Sequence, residues 1–122
     1  MVLVYVASAY SNPSSSEREQ NVKRQMEIGD KIIKLGYVPF LPLLTHYQHL
    51  LYPQSYDMWL NLGLEMVRRS DIILRLEGPS KGADIEVALA KELHKPIAYS
   101  IKELEKWPAS AEEWVKNFKV YY

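Results

Sequence analysis

Gly78-Pro79-Ser80-Lys81-Gly82-Ala83-Asp84-Ile85-Glu86 is the stretch on which the reading of this chain turns. Before it runs Ser70-Asp71-Ile72-Ile73-Leu74-Arg75-Leu76, a short β-branched apolar run of the kind that forms a buried parallel strand. After it, Ile85, Ala88, Leu89 and Leu93 are apolar at helical spacing, closed by Lys91, His94 and Lys95 before Pro96. The quoted stretch therefore lies where a strand ends and a helix begins, the place where open α/β sheets bind ligands. Free amides at a helix N-terminus favour anions, and Ser80 is placed either to cap the helix or to donate to a phosphate. Glu86 falls on the face that carries Leu89, Ala90 and Leu93. A carboxylate on a mostly apolar face is either half of a buried ion pair or a group working at the floor of a pocket.

Working outward, Val2 to Ala7 is a continuous apolar run, read as a central strand and broken by Ser8-Ala9-Tyr10-Ser11-Asn12-Pro13. Ser14, Ser15 and Ser16 offer helix N-caps, Val22, Met26, Gly29 and Ile33 mark one face, and Gly36 ends the helix. Tyr37 to Leu41 reads as a second strand whose Pro39 puts it at a sheet edge or a strand end. Residues 42–56 read as a long connection, and a helix from Tyr56 carries Trp59, Leu62 and Met66 to Arg68-Arg69. Ile97-Ala98-Tyr99 is a fourth strand, and Ser110-Ala111-Glu112-Glu113 is a capping box before Trp114, Val115 and Phe118. Strands alternating with helices give a single α/β domain over residues 1–122, with a parallel sheet of four to five strands between two helical layers, flavodoxin-like or Rossmann-like. Its pocket is expected at the carboxyl ends of the first and third strands.

Composition narrows the function classes. Fifteen basic and fifteen acidic side chains cancel, so no basic stripe argues for a nucleic-acid polymer. The absence of cysteine excludes disulfides, zinc-thiolate sites and thiol catalysis. No run is long enough for a membrane span, and the opening apolar run is too short and uncharged for a signal peptide. The expectation is a cytoplasmic protein. His46 and His49 share an H-x-x-H spacing with no third ligand in view, so no metal is assigned, and no cofactor is expected.

Several segments occur in a telling order: Val4-Tyr5-Val6-Ala7-Ser8-Ala9-Tyr10-Ser11, Gly36-Tyr37-Val38-Pro39-Phe40-Leu41-Pro42, Thr45-His46, Ser70-Asp71, and Ser80-x-Gly82-x-x-x-Glu86. Together they resemble the nucleoside 2-deoxyribosyltransferase-like proteins, over roughly residues 2 to 100. The Ser-x-Gly-x-x-x-Glu spacing is also similar to that of the 2′-deoxynucleoside 5′-monophosphate N-hydrolases. The resemblance implies N-glycosidic bond chemistry on a small nucleoside or nucleotide, with Glu86 attacking the anomeric carbon. It implies that Ser80 contacts a 5′-phosphate and that Tyr5 holds the glutamate or the sugar. It also implies a homodimer or larger oligomer, to which the apolar tail Trp114, Phe118, Val120, Tyr121 and Tyr122 adds its own argument. Ser8, Tyr10, His46 and Gly82 complete the expected substrate-binding set.

One position departs from that family. An aspartate is expected eight residues before Asp71, and Gly63 stands there. Glu65 lies about 200° further round the helix and does not replace it. Asp84, His46, Tyr10 and Asp57 are the other candidates for the acid, in that order, with Asp84 paired with Glu86 in the catalytic set. A non-catalytic nucleotide-binding module on the same fold is the rival reading that Gly63 favours.

Overall fold

A computed structural model describes residues 1–106. Its strands are β1 (Leu3–Ala7), β2 (Val38–Phe40), β3 (Ile72–Arg75) and β4 (Ile97–Ala98). Its helices are α1 (Ser15–Lys34), α2 (Thr45–Leu51), α3 (Tyr56–Arg69), α4 (Lys81–Glu92) and α5 (Ile101–Glu105), with a 3₁₀ turn at Pro42–Leu44. The strands form one parallel sheet in the order β2-β1-β3-β4. Tyr5 on β1 lies opposite Phe40 on one side and Ile73 on the other. β2 is an edge strand, which is where Pro39 does no harm to the hydrogen-bond ladder.

Alternation along the strands divides the core into two layers. Val2, Val4, Val6, Ile72 and Leu74 pack with Ile32 of α1 and Leu104 of α5 on one face. Tyr5, Ala7 and Ile73 pack with Val67 of α3 and Ala83, Val87 and Ala90 of α4 on the other. This is the three-layer α/β arrangement expected from the sequence. Because both faces are covered, β1 and β3 read as unbroken apolar runs.

The helix limits follow local chemistry. Ser14, Ser55, Ser80 and Ser100 each accept a backbone N–H three residues on, at 3.4, 3.1, 3.1 and 3.0 Å. α1 ends in a Schellman motif: Gly36 at φ 90° donates to Ile33 O, and Tyr37 donates to Ile32 O. α4 ends in the same pattern with His94, at φ 57°, in the place glycine normally takes.

The helical faces match the sequence reading in part, at Val22 and Gly29 of α1 and at Glu86 and Ala90 of α4, and differ elsewhere. On α1 the buried positions are Val22, Gln25, Gly29 and Ile32, while Met26 and Ile33 are exposed. On α3 they are Gly63 and Val67 rather than Trp59, Leu62 and Met66. On α4 they are Ala83, Glu86, Val87 and Ala90, while Ala88 and Leu93 are exposed. In each helix a polar residue or a glycine occupies the innermost row, so the most hydrophobic stripe lies to one side of the contact. The connection over 42–56 is also more ordered than expected, holding the 3₁₀ turn and the two-turn α2, joined where Thr45 Oγ1 donates to Pro42 O at 2.7 Å. Among the described residues no helix is long and apolar enough to cross a membrane. The capping box at Ser110 and the apolar tail proposed to drive oligomerisation lie outside the described residues.

Candidate functional site

The strand order reverses direction between β1 and β3, and a cavity of about 610 Å³ opens beyond their carboxyl ends. Its walls come from the segment after β1 (Ser8, Tyr10), from the 42–49 region, from α3 and from the start of α4. Tyr5, Ser8, Tyr10, His46, Ser80, Gly82 and Glu86, drawn from three parts of the sequence, all line it.

Glu86 sits in the second turn of α4, 8 % exposed. The Tyr5 hydroxyl, from the buried row of β1, donates to its Oε2. The Tyr5 ring is fixed by stacking on Phe40, with centroids 5.8 Å apart and planes 21° from parallel. Burial pushes the Glu86 carboxyl up to about 8, because the ionised form loses its water. Glu86 is therefore mostly protonated at neutral pH. Among the described residues no cationic side chain forms an ion pair with it.

Gly63 of α3 forms the wall beside this pair. A Cβ there would lie 2.7 Å from the Tyr5 hydroxyl oxygen and 3.3 Å from Glu86 Oε2. Position 63 thus faces the pocket, and the space of a side chain is taken by the Tyr5–Glu86 contact. Glu65 is on the outer face, bound to Arg68 and Arg69 at 3.2 and 3.1 Å, and those bonds, Arg69's first, hold its carboxyl below the usual range.

Asp84 is the site residue that the fold does not bring in. It stands two positions, about 200°, from Glu86 on α4, and its exposed carboxylate pairs with Arg75 at 3.0 Å. Arg75 also donates to Gly78 O at 2.9 Å, so Asp84 ties the loop before α4 to the end of β3. Asp57 is likewise exposed and off the cavity wall. Asp71 has a backbone role: its Oδ2 accepts from Leu3 N at 2.8 Å.

On the wall formed by the segment after β1 and by α2, the Tyr10 hydroxyl meets His46 Nδ1 at 2.5 Å, and His46 Nε2 meets Glu19 Oε2 of α1 at 3.2 Å. His49 also lines the cavity, but its Nδ1 accepts from Trp59 Nε1 at 2.7 Å and from Gln54 N at 3.2 Å. The two histidines of the H-x-x-H spacing therefore do not converge, and among the described residues no group of three His, Cys, Asp or Glu could hold a metal ion.

Two residues of this region carry no sequence signal. Glu19 is one of several acidic residues near the start of α1, and only the fold sets it against His46. Gln25 is 1 % exposed and fully engaged: Nε2 donates to Val6 O and Ser8 Oγ at 3.1 and 2.8 Å, and Oε1 accepts from Leu43 N at 2.9 Å. It locks the end of β1 and the 3₁₀ turn together, and with them the placement of Ser8.

Comparison with known proteins agrees with this architecture. The chain is similar to the 2-deoxyribosyltransferase of Bacillus psychrosaccharolyticus, with 21 % identity and a TM-score of 0.56, over 79 % of this chain and 69 % of that one. It is also similar to the 2-deoxyribosyltransferase of Leishmania mexicana, with 16 % identity and a TM-score of 0.57, over 80 % of this chain and 62 % of that one. At such identities the likeness is one of fold. No curated protein matches the sequence. Residues 2–100 match the family described as a domain of unknown function (DUF7768), and the chain belongs to that family.

Proposed function

We propose that this protein breaks the N-glycosidic bond of a 2′-deoxynucleoside or its 5′-monophosphate, passing the sugar to water or to a second base, with Glu86 as the nucleophile. The observation that carries this reading is a buried carboxyl, bonded to the Tyr5 hydroxyl, at the wall of a cavity of about 610 Å³ at the reversal point of a deoxyribosyltransferase-like sheet. A Glu86 oxygen bonds to the anomeric carbon while the base leaves with the electron pair of the C–N bond. Water or another base then displaces the sugar-enzyme ester and returns the carboxylate. The ionised form is required, so activity climbs as pH rises toward about 8. Ser80 supports the monophosphate as substrate: its oxygen accepts from Ala83 N, which leaves the hydroxyl hydrogen free for a phosphate beside the α4 amides.

The test is chromatographic detection of free base after incubation with deoxynucleosides and their monophosphates. Wild type is expected to release base, and Glu86→Ala to lose release by more than the roughly 10²–10⁴-fold typical of acid–base groups, since a pathway is removed. A second reading is favoured by Gly63, which puts no carboxylate where the deoxyribosyltransferase resemblance implies one. On that reading the protein is a nucleotide-binding module without chemistry. Calorimetric binding of a nucleotide with no base released would decide for it.

A further inference from the structure

We infer that Tyr10, His46 and Glu19 form a proton relay on this site, with Tyr10 protonating the departing base; the inference rests on the N-glycosidic reading above. Three groups from three separate elements meet in a line: Glu19 on α1, His46 on α2 and Tyr10 after β1. His46 is 5 % exposed, and both its ring nitrogens are used, Nδ1 toward Tyr10 and Nε2 toward Glu19. Tyr47 packs edge-on to the imidazole and donates to the other Glu19 oxygen at 3.2 Å, which fixes the carboxylate. The charged groups facing Tyr10 are Arg18 and Glu19, which act in opposite senses. Burial is the larger effect and raises the phenol above its ordinary value, so Tyr10 keeps its proton until a stronger acceptor arrives. Tyr10 and His46 line the same cavity as Glu86, and no aspartate at position 63 is available to do this work.

The proton balance closes over a full cycle. The relay starts from the form of His46 with a hydrogen on each ring nitrogen, so that Nε2 donates to Glu19 and Nδ1 to the Tyr10 oxygen. As the C–N bond breaks, the base nitrogen takes the Tyr10 proton, and the Nδ1 proton moves to the Tyr10 oxygen. His46 is left neutral with its hydrogen on Nε2, held by Glu19. In the second half, water bonds to the anomeric carbon, and the bond to Glu86 breaks with its electron pair returning to the carboxylate. The water proton goes to Tyr10, and the Tyr10 proton returns to Nδ1. Tyr10 is the catalytic group here; His46 and Glu19 act through it.

The experiment compares a deoxynucleoside with a p-nitrophenyl 2-deoxyriboside, whose leaving group departs as a stable anion and needs no proton. Tyr10→Phe is expected to lose roughly 10²–10⁴-fold on the nucleoside and less than about tenfold on the aryl substrate. Glu19→Gln leaves the Nε2 hydrogen of His46 without its carboxylate acceptor, so it is expected to slow the nucleoside more than the aryl substrate, in the same sense as Tyr10→Phe. Equal or greater loss on the aryl substrate with either variant would overturn the relay while leaving Glu86 as nucleophile. A wild-type protein that cleaves neither substrate overturns the N-glycosidic reading and the relay with it.

Discussion

Gly63 and Tyr5 stand so close that a single added carbon on the glycine would lie 2.7 Å from the tyrosine hydroxyl. The Tyr5 ring cannot retreat, since it is 1 % exposed and stacked on Phe40. Gly63 is therefore the residue that makes room for the Tyr5–Glu86 hydrogen bond. Gly63→Ala gains about 1 kcal/mol of helix propensity but overpacks the wall at a cost of about 1–3 kcal/mol. The expected outcome is a net loss of stability, read as a lower urea midpoint at unchanged m. Gly63→Asp, which would reinstate the acid that the resemblance implies, is expected to lose more, and more at pH 9 than at pH 6, because its carboxylate would face Glu86. A Gly63→Asp variant as stable as wild type with base-releasing activity would show that the wall relaxes.

Glu86 gives a pH signature that needs no substrate. Its carboxyl titrates at about 8 in the folded chain and near 4.3 when unfolded. Between those values the folded state holds a proton that the unfolded state has lost, so stability falls as pH rises. Below the lower value there is no penalty; above about 8 it is complete and constant. Glu86→Gln carries no such proton. Relative to that variant, wild type is expected to lose on the order of a few kcal/mol between pH 5 and pH 9 in urea titrations. A difference that stays constant over that range would refute the buried, protonated carboxyl.

Ser80→Ala separates structure from recognition. Loss of the N-cap bond to Ala83 N costs about 0.5–2 kcal/mol of stability whatever the ligand. If the hydroxyl also holds a phosphate, binding of monophosphates weakens by about 1.5–3 kcal/mol while nucleosides are nearly unaffected. Calorimetry with a nucleoside and its monophosphate reads the difference. An equal loss for both would leave Ser80 as a cap alone.

His94 offers a gain. It holds the left-handed position after α4 at φ 57°, where a side chain costs about 1–2 kcal/mol. The Schellman bonds there come from the backbone, so His94→Gly keeps them. Some of the gain is lost to the greater freedom of glycine in the unfolded chain. A net rise of up to about 1 kcal/mol in the thermal or urea transition is expected, and a fall would show that the imidazole has an undetected role.

The sequence by itself determined four strands alternating with helices, the parallel sheet and the caps Ser14 and Ser80, because these depend on short-range periodicity and local hydrogen bonds, while the short helices α2 and α5 left too little periodicity to read. It also identified the strand-to-helix junction at Gly78–Glu86, whereas the pocket-facing position of Gly63 came only as what the family resemblance implies. The tertiary structure decided the innermost row of each helix, although the sequence had already put Val22 and Gly29 of α1 and Glu86 of α4 on the inner faces. On α1 the innermost row includes Gln25, whose burial is tolerable only because Val6, Ser8 and Leu43, distant in sequence, satisfy it. On α4 it includes Glu86, for which Tyr5 supplies the hydrogen bond. A hydrophobicity pattern counts a residue such as Gln25 as outward, so the predicted α1 stripe was rotated to Met26 and Ile33, which are exposed, as is Leu93 on α4. The pairing of Glu19 with His46 and the turning of Asp84 toward Arg75 were decided the same way. Polar side chains find partners through space, and no local pattern records which ones meet.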